Sequence, residues 1–129
     1  MKVNATDFGI CGTEQMFYAG SIGFDTEGAA DSVELIKLPN NMIVTRAVAV
    51  VTEAFDAGTT NVLTVGKNDD ANDILGTSDI TEGTAGAYSK QTFVECAAGN
   101  KINAKFTQTG TAATAGKADI YIFFVSVPD

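Results

Sequence analysis

The chain contains no histidine, no tryptophan, only two cysteines and a single arginine. Without histidine, Ser-His-Asp and Cys-His nucleophile systems, histidine-ligated zinc and a histidine acid-base are all excluded. Cys11 and Cys96 are too few for a disulfide-stapled scaffold or a four-thiolate metal site, and they read as free, mostly buried thiols. The absence of tryptophan removes the aromatic platform common in carbohydrate sites. Paired carboxylates for glycoside hydrolysis, whose separation of about 5–9 Å only the fold could set, are therefore a weak reading. No apolar run approaches the roughly 18 residues of a membrane span, and "MKVNATDFGICGTEQ" has no apolar h-region. The expectation is a chain folded in a reducing cytoplasm with no membrane partner.

Positive charge is also scarce. Sixteen acidic against eight basic residues leave a net charge of −8, and the seven lysines and Arg46 are scattered along the chain. A phosphate backbone would be repelled, so nucleic acid is not expected as a partner. What the chain has in quantity is apolar residues, 45% of 129, enough to bury one core in one domain.

The dominant period is two. In "KINAKFTQ" (101–108) Ile102, Ala104 and Phe106 alternate with Lys101, Asn103, Lys105 and Thr107, the pattern of a half-buried strand. Further strands are expected over 32–38, 41–55, 61–66, 91–97 and 117–127, with 15–24 as one more, broken by glycine. The short loop "DAGTT" (56–60) suggests that 41–55 and 61–66 pair as a hairpin. Gly-, Thr- and Ala-rich spacers occupy 76–89 and 109–116. The pattern predicts an all-β fold, an antiparallel β-sandwich of jelly-roll or related Greek-key topology. Residues 1–30 are expected to form a mostly irregular N-terminal arm, and 31–129 the sandwich.

Two strands do not alternate in polarity. In "ADIYIFFVSV" one face carries Ile120, Ile122 and Phe124, and the other Tyr121, Phe123, Val125 and Val127. "MIVTRAVAVV" divides into Val44, Val48 and Val50 against Ile43, Ala47, Ala49 and Val51. A lone antiparallel sandwich normally leaves its outer faces to water, so a second cover is expected here. That cover is either the chain's own first thirty residues, which hold Phe8, Phe17, Tyr18 and Phe24, or another copy of the chain. The candidate oligomer or partner interface comprises Phe8, Phe17, Tyr18, Tyr121, Phe123 and Val125.

The acidic stretch "KNDDANDILGTSD" (67–79) invites a calcium reading at Asp69, Asp70 and Asp73. An EF-hand loop needs alternating Asp/Asn, glycine at the sixth position and glutamate at the twelfth, and neither register here supplies them. An irregular calcium site is the remaining metal reading. The alternative is a single helical turn capped by Asn68 or Asp69, with Ile74 and Leu75 turned inward. "GTAATAGK" (110–117) resembles a phosphate loop but spaces its glycines one residue too far apart, lacks the hydroxyl at Ala118 and precedes a strand. The sequon at Asn4 is a short pattern expected by chance. No catalytic residues and no cofactor are expected.

The phrases "VTEAFDAGTTNVLTVGKNDDANDI" (51–74), "TEGTAGAYS" (81–89) and "FTQTGTAATAGKADIYIFFV" (106–125) resemble small virion proteins of tailed bacteriophages, among them capsid decoration (cement) proteins. The resemblance covers roughly the C-terminal two-thirds and carries no catalytic signature. It implies a non-enzymatic protein on the capsid exterior, typically a trimer, bound to the major capsid protein and stabilising the head. A head-fibre or tail component and a calcium- or carbohydrate-binding β module remain the alternatives, with a paired-carboxylate hydrolase behind them.

Overall fold

The computed structural model describes residues 14–68 and 70–127, the side chains at 70 and 71 excepted. Phe8, Cys11, Asn4 and Asp69 lie outside the described residues. Among the described residues eight strands and no helix form the regular structure: β1 (Gln15–Gly23), β2 (Val33–Lys37), β3 (Met42–Glu53), β4 (Thr60–Lys67), β5 (Asp70–Leu75), β6 (Gly86–Cys96), β7 (Lys101–Thr109) and β8 (Lys117–Ser126). They make two four-stranded sheets, ordered β1-β8-β3-β6 and β2-β7-β4-β5, with every ladder antiparallel.

Each strand of the first half lies beside its mirror image in the second: β1 by β8, β2 by β7, β3 by β6 and β4 by β5. This is the pairing of one long antiparallel hairpin. Rolling that hairpin adds the β8–β3 and β7–β4 ladders and closes two layers over one core. The result is the jelly-roll version of the expected sandwich. The connections after β1, β3, β5 and β7 gather at one end, and the shorter turns after β2, β4 and β6 at the other.

The core follows the alternation where the sequence shows it. Ile102, Ala104 and Phe106 of β7 are buried and face Leu63 and Val65 of β4, also buried. Ile120 and Ile122 of β8 and Met42, Val44, Ala47, Ala49 and Val51 of β3 close the core from the other sheet. The split expected for β3 is corrected by a bulge between Val44 and Arg46. One extra residue resets the side-chain parity, so Val44 joins Ala47, Ala49 and Val51 inside, while Ile43, Val48 and Val50 face out.

Three further expectations change. Residues 41–55 and 61–66 do not pair as a hairpin: β3 belongs to one sheet and β4 to the other. The connecting loop turns into the core, where Phe55 is buried with its ring centroid 4.6 Å from that of Phe106, and a hairpin tip would have left that ring wet. The helical turn at 68–75 is replaced by a tight β4–β5 connection and strand β5. Asn68 adopts φ 54°, which asparagine tolerates. Its side chain accepts the Lys101 amide at 2.8 Å and its carbonyl accepts Asn103 Nδ2 at 2.7 Å, docking the turn on β7. Ile74 and Leu75 are buried, as the sequence suggested. Strand β6 begins at Gly86, inside the expected spacer, because an edge strand with one wet face can be built from Gly, Ala, Ser and Lys. Residues 15–23 form the edge strand β1, as expected for 15–24, with a bulge between Tyr18 and Gly20.

Candidate functional site

The outer faces of the two sheets differ in chemistry. On the β2-β7-β4-β5 sheet the exposed or half-exposed outward positions include Glu34, Lys101, Lys105 and Thr107, with the polar Asn103 and Thr64 buried beside them, and Lys101 pairs with Glu34 at 3.3 Å. Such a face is at home in water. On the β1-β8-β3-β6 sheet the register places Met16 beside Phe123, Tyr18 beside Tyr121, Val48 beside Tyr121 and Ile43 beside Val125. Val50 continues the apolar row opposite Asp119.

These side chains shield one another only in part. Tyr18 and Tyr121 have ring centroids 5.4 Å apart, and Tyr121, Phe123 and Val125 are half-buried, yet Met16 and Tyr18 remain more than half exposed. Phe93 is 77% exposed, the most exposed large apolar side chain among the described residues. It stands where the β3–β6 register shifts, at an outward position of β6. Arg46 lies within this face, its guanidinium 4.2 Å from the centroid of the Phe123 ring, a cation–π contact. The shallow polar depression beside it is lined by Glu14, Thr45, Arg46, Ser89 and Gln91.

The second cover expected from the chain's first thirty residues is not supplied by residues 14–30. Strand β1 extends the sheet sideways instead of lying over it. Phe17 turns inward, edge-on to Phe124 at 5.4 Å, and Phe24 likewise packs against the core. Of the six candidate interface residues, Tyr18, Tyr121, Phe123 and Val125 share the outer face, Phe17 does not, and Phe8 lies outside the described residues. Sequence reasoning missed Met16, Arg46 and Phe93. The signal for Phe93 was present: it alternates outward with Gln91 and Glu95 while Val94 and Cys96 turn in.

The acidic stretch has structural employment. Asp73 accepts the Lys67 amide at 2.8 Å, and Asp79 accepts the Gly76 amide at 2.6 Å and pairs with Lys90 at 3.1 Å. Among the described residues no three carboxylates, thiols or imidazoles gather as a metal cluster. Cys96 is buried and free, and burial pushes its thiol pKa up. The 110–117 segment is a loop leading into β8, as its failed phosphate-loop spacing implied.

The loop end is laced by hydrogen bonds. Asp56 accepts from the Thr114 hydroxyl at 2.8 Å, the Thr114 amide at 2.7 Å and the Ala115 amide at 3.0 Å, and these hold its carboxyl below the ordinary aspartate value. Gly116 donates to Glu53 Oε1 at 2.9 Å and has left-handed φ of 139°, with Phe55 pressed so close that a Cβ there would clash. Glu82 reaches back from the β5–β6 loop, largely buried, and accepts the Leu63 amide at 2.8 Å beyond the end of the short β5.

No family model and no curated protein matches the sequence. Solved structures do match the fold. A chain in the capsid asymmetric unit of cyanophage Pam1 aligns with TM-score 0.68 and 18% identity, covering 98% of this chain and 94% of that one. A chain in the acid-stable capsid structure of Helicobacter pylori bacteriophage KHP30 aligns with TM-score 0.58 and 14% identity, covering 91% and 95%. At these identities the likeness is one of fold.

Proposed function

We propose that the protein is a non-enzymatic structural component of a bacteriophage virion, a decoration protein that binds the capsid exterior and stabilises the head as a homotrimer. The observation that carries this reading is the apolar outer face of the β1-β8-β3-β6 sheet. A free monomer gains nothing from keeping Met16, Tyr18 and Phe93 in water, whereas burying each would contribute about 1.5–3 kcal/mol. A face of this kind is the surface of a protein that works in an assembly. The near end-to-end fold likeness to chains in two phage capsid structures supports the virion setting. The acidic charge of −8 suits an exposed position that does not compete for packaged nucleic acid.

The mechanism needs no bond-making chemistry. A capsid fails where its subunits part, and a protein bridging several of them raises the free energy of separation through shared contact area and multivalency. Purified protein added to undecorated heads should occupy them saturably and raise their rupture temperature. A variant carrying Tyr18→Ser, Tyr121→Ser and Phe93→Ser should neither trimerise nor protect. Full head occupancy by that variant would overturn the role given to the face.

A further inference from the structure

Along the seam where β1 of one sheet meets β2 of the other, the sandwich is closed toward one end and open toward the other. Toward the loop end β1 bulges between Tyr18 and Gly20, and Gly20 faces β2 so closely that an added Cβ would meet the Leu35 side chain at 3.4 Å. Toward the turn end an apolar groove of about 280 Å³ lies between the sheets. Gln15, Phe17, Met42 and Phe124 line it from the β1-β8-β3-β6 sheet, and Ile36 and Leu38 from β2 and the turn after it. Met42 and Leu38 are buried, but Phe17, Ile36 and Phe124 are only half-buried. The groove is distinct from the apolar outer face, because Phe17 and Phe124 turn inward.

Both chain ends leave the fold at this groove. Gln15 is opposite Phe124, near the end of β8, so residues 1–13, which lie outside the described residues, join the fold at the groove's rim. At the other terminus the Val127 amide donates to the Asn41 carbonyl at 3.0 Å, and only Pro128 and Asp129 follow, with no large apolar side chain to offer. The stretch "TDFGIC" (6–11) has two, Phe8 and Ile10, spaced so that both fall on one side of an extended chain. Ile10 and Phe8 lie five and seven residues before Gln15, a tether of about 17–23 Å when extended. A tether this short sets an effective concentration of about millimolar, so the segment outcompetes a free partner of equal affinity present at micromolar concentration. The groove is also smaller than the roughly 300–1,000 Å³ of ordinary ligand pockets, a size for side chains of an extended segment. We propose that the chain's own residues 8–10 close the open seam, with the Phe8 and Ile10 side chains seated against Phe17, Ile36 and Phe124. Docked there, the segment does for the turn end what Leu35 against Gly20 does toward the loop end. The proposal stands on the seam and is independent of the role given to the outer face.

Because the chain has no tryptophan, Phe8→Trp in the full chain gives a single fluorescent reporter of the segment. Its emission should be blue-shifted, and acrylamide should quench it several-fold less efficiently than in the same variant unfolded by guanidinium chloride. Ile36→Lys, added to that variant, places a charge in the groove and should return quenching to the unfolded level, with circular dichroism following the fold. Ser126→Arg, at an exposed position on the groove's rim, should do the same and serves if Ile36→Lys disturbs folding. Protection should be unchanged on dilution from micromolar to nanomolar protein, since a tethered segment docks within one chain. Quenching at the unfolded level in Phe8→Trp alone would overturn the docking. Protection lost on dilution would give the groove to a neighbour's segment and overturn the same-chain occupant. Protection indifferent to both groove substitutions would place the segment elsewhere, the outer sheet face included, and overturn the groove as its seat.

Discussion

The two outer faces are built on the same rolled hairpin, yet one would dissolve in water and the other resists it. On β7 every outward residue from Lys101 to Thr107 is polar, and on β8 Tyr121, Phe123 and Val125 take the equivalent positions. Both strands occupy the second place in their sheets and both pair on two sides, so neither ladder geometry nor backbone propensity explains the difference. What differs is the medium each face is meant to meet. The polar face spends its side chains on a pair such as Lys101–Glu34, worth little in stability but adequate for solubility. On the proposed function, the apolar face keeps its transfer free energy in reserve for association.

Neighbouring residues on β8 offer the sharpest way to break that comparison. Ile122 is wholly buried between the sheets, and Ile122→Ala should cost about 2–5 kcal/mol in denaturant unfolding, as the loss of large buried side chains does. Phe123→Ser, one residue on, should leave the unfolding free energy of the dilute monomer changed by less than about 1 kcal/mol while weakening self-association measured by light scattering. Equal losses of fold stability at both positions would mean that the outer face is a second core of the monomer. Next in size is Glu82, which takes the place of a strand partner for the Leu63 amide on the polar-faced sheet. Glu82→Ala should cost about 1–3 kcal/mol in thermal or chemical unfolding, with no effect on self-association, because the loss is of a largely buried hydrogen bond and not of an outer-face contact.

The contrast between faces was legible before any coordinates, since the unbroken apolar run of β8 admits no wet side and the alternation of β7 requires one. Details that depend on one residue's parity were not legible. The bulge at Thr45 moves Val44 inside and Ile43 outside, and no local signal in "MIVTRAV" announces it. The pairing of β3 was misjudged for a related reason: a short polar loop serves equally as a hairpin turn or as a corner between sheets, and the deciding contact, Phe55 on Phe106, is distant in sequence. Strand β5 was hidden by its composition, since Asp70, Asn72 and Asp73 disfavour strands and only the fold supplies Asp73 with the Lys67 amide. The candidate site was half readable, with Tyr18, Tyr121, Phe123 and Val125 foreseen. Phe93 is outward by alternation alone, but that it shares a face with Arg46 emerges only from the register.

The smallest expected effect separates the faces from the loops at their rim. Asp56 is fully exposed, and its three hydrogen bonds from Thr114 and Ala115 tie the β3–β4 loop to the β7–β8 loop. Its carboxyl pKa is lowered, first by the Thr114 hydroxyl and then by the two amides. The sign follows from linkage: a group whose folded pKa lies below its unfolded value contributes its stabilisation above the unfolded pKa and loses it as pH falls through the folded one. Near neutral pH the tie is therefore intact, and it should open in acid, at a lower pH than that at which an unperturbed aspartate protonates. Hydrogen exchange at the Thr114 and Ala115 amides should quicken there relative to the amides of β8, after correction for the intrinsic pH dependence of exchange. Asp56→Ala should produce the same local acceleration at neutral pH and leave both melting and self-association nearly unchanged. If Asp56→Ala instead weakened association, the loop end would belong to the interface, and the outer sheet face would not be the whole of the surface the protein presents to its neighbours.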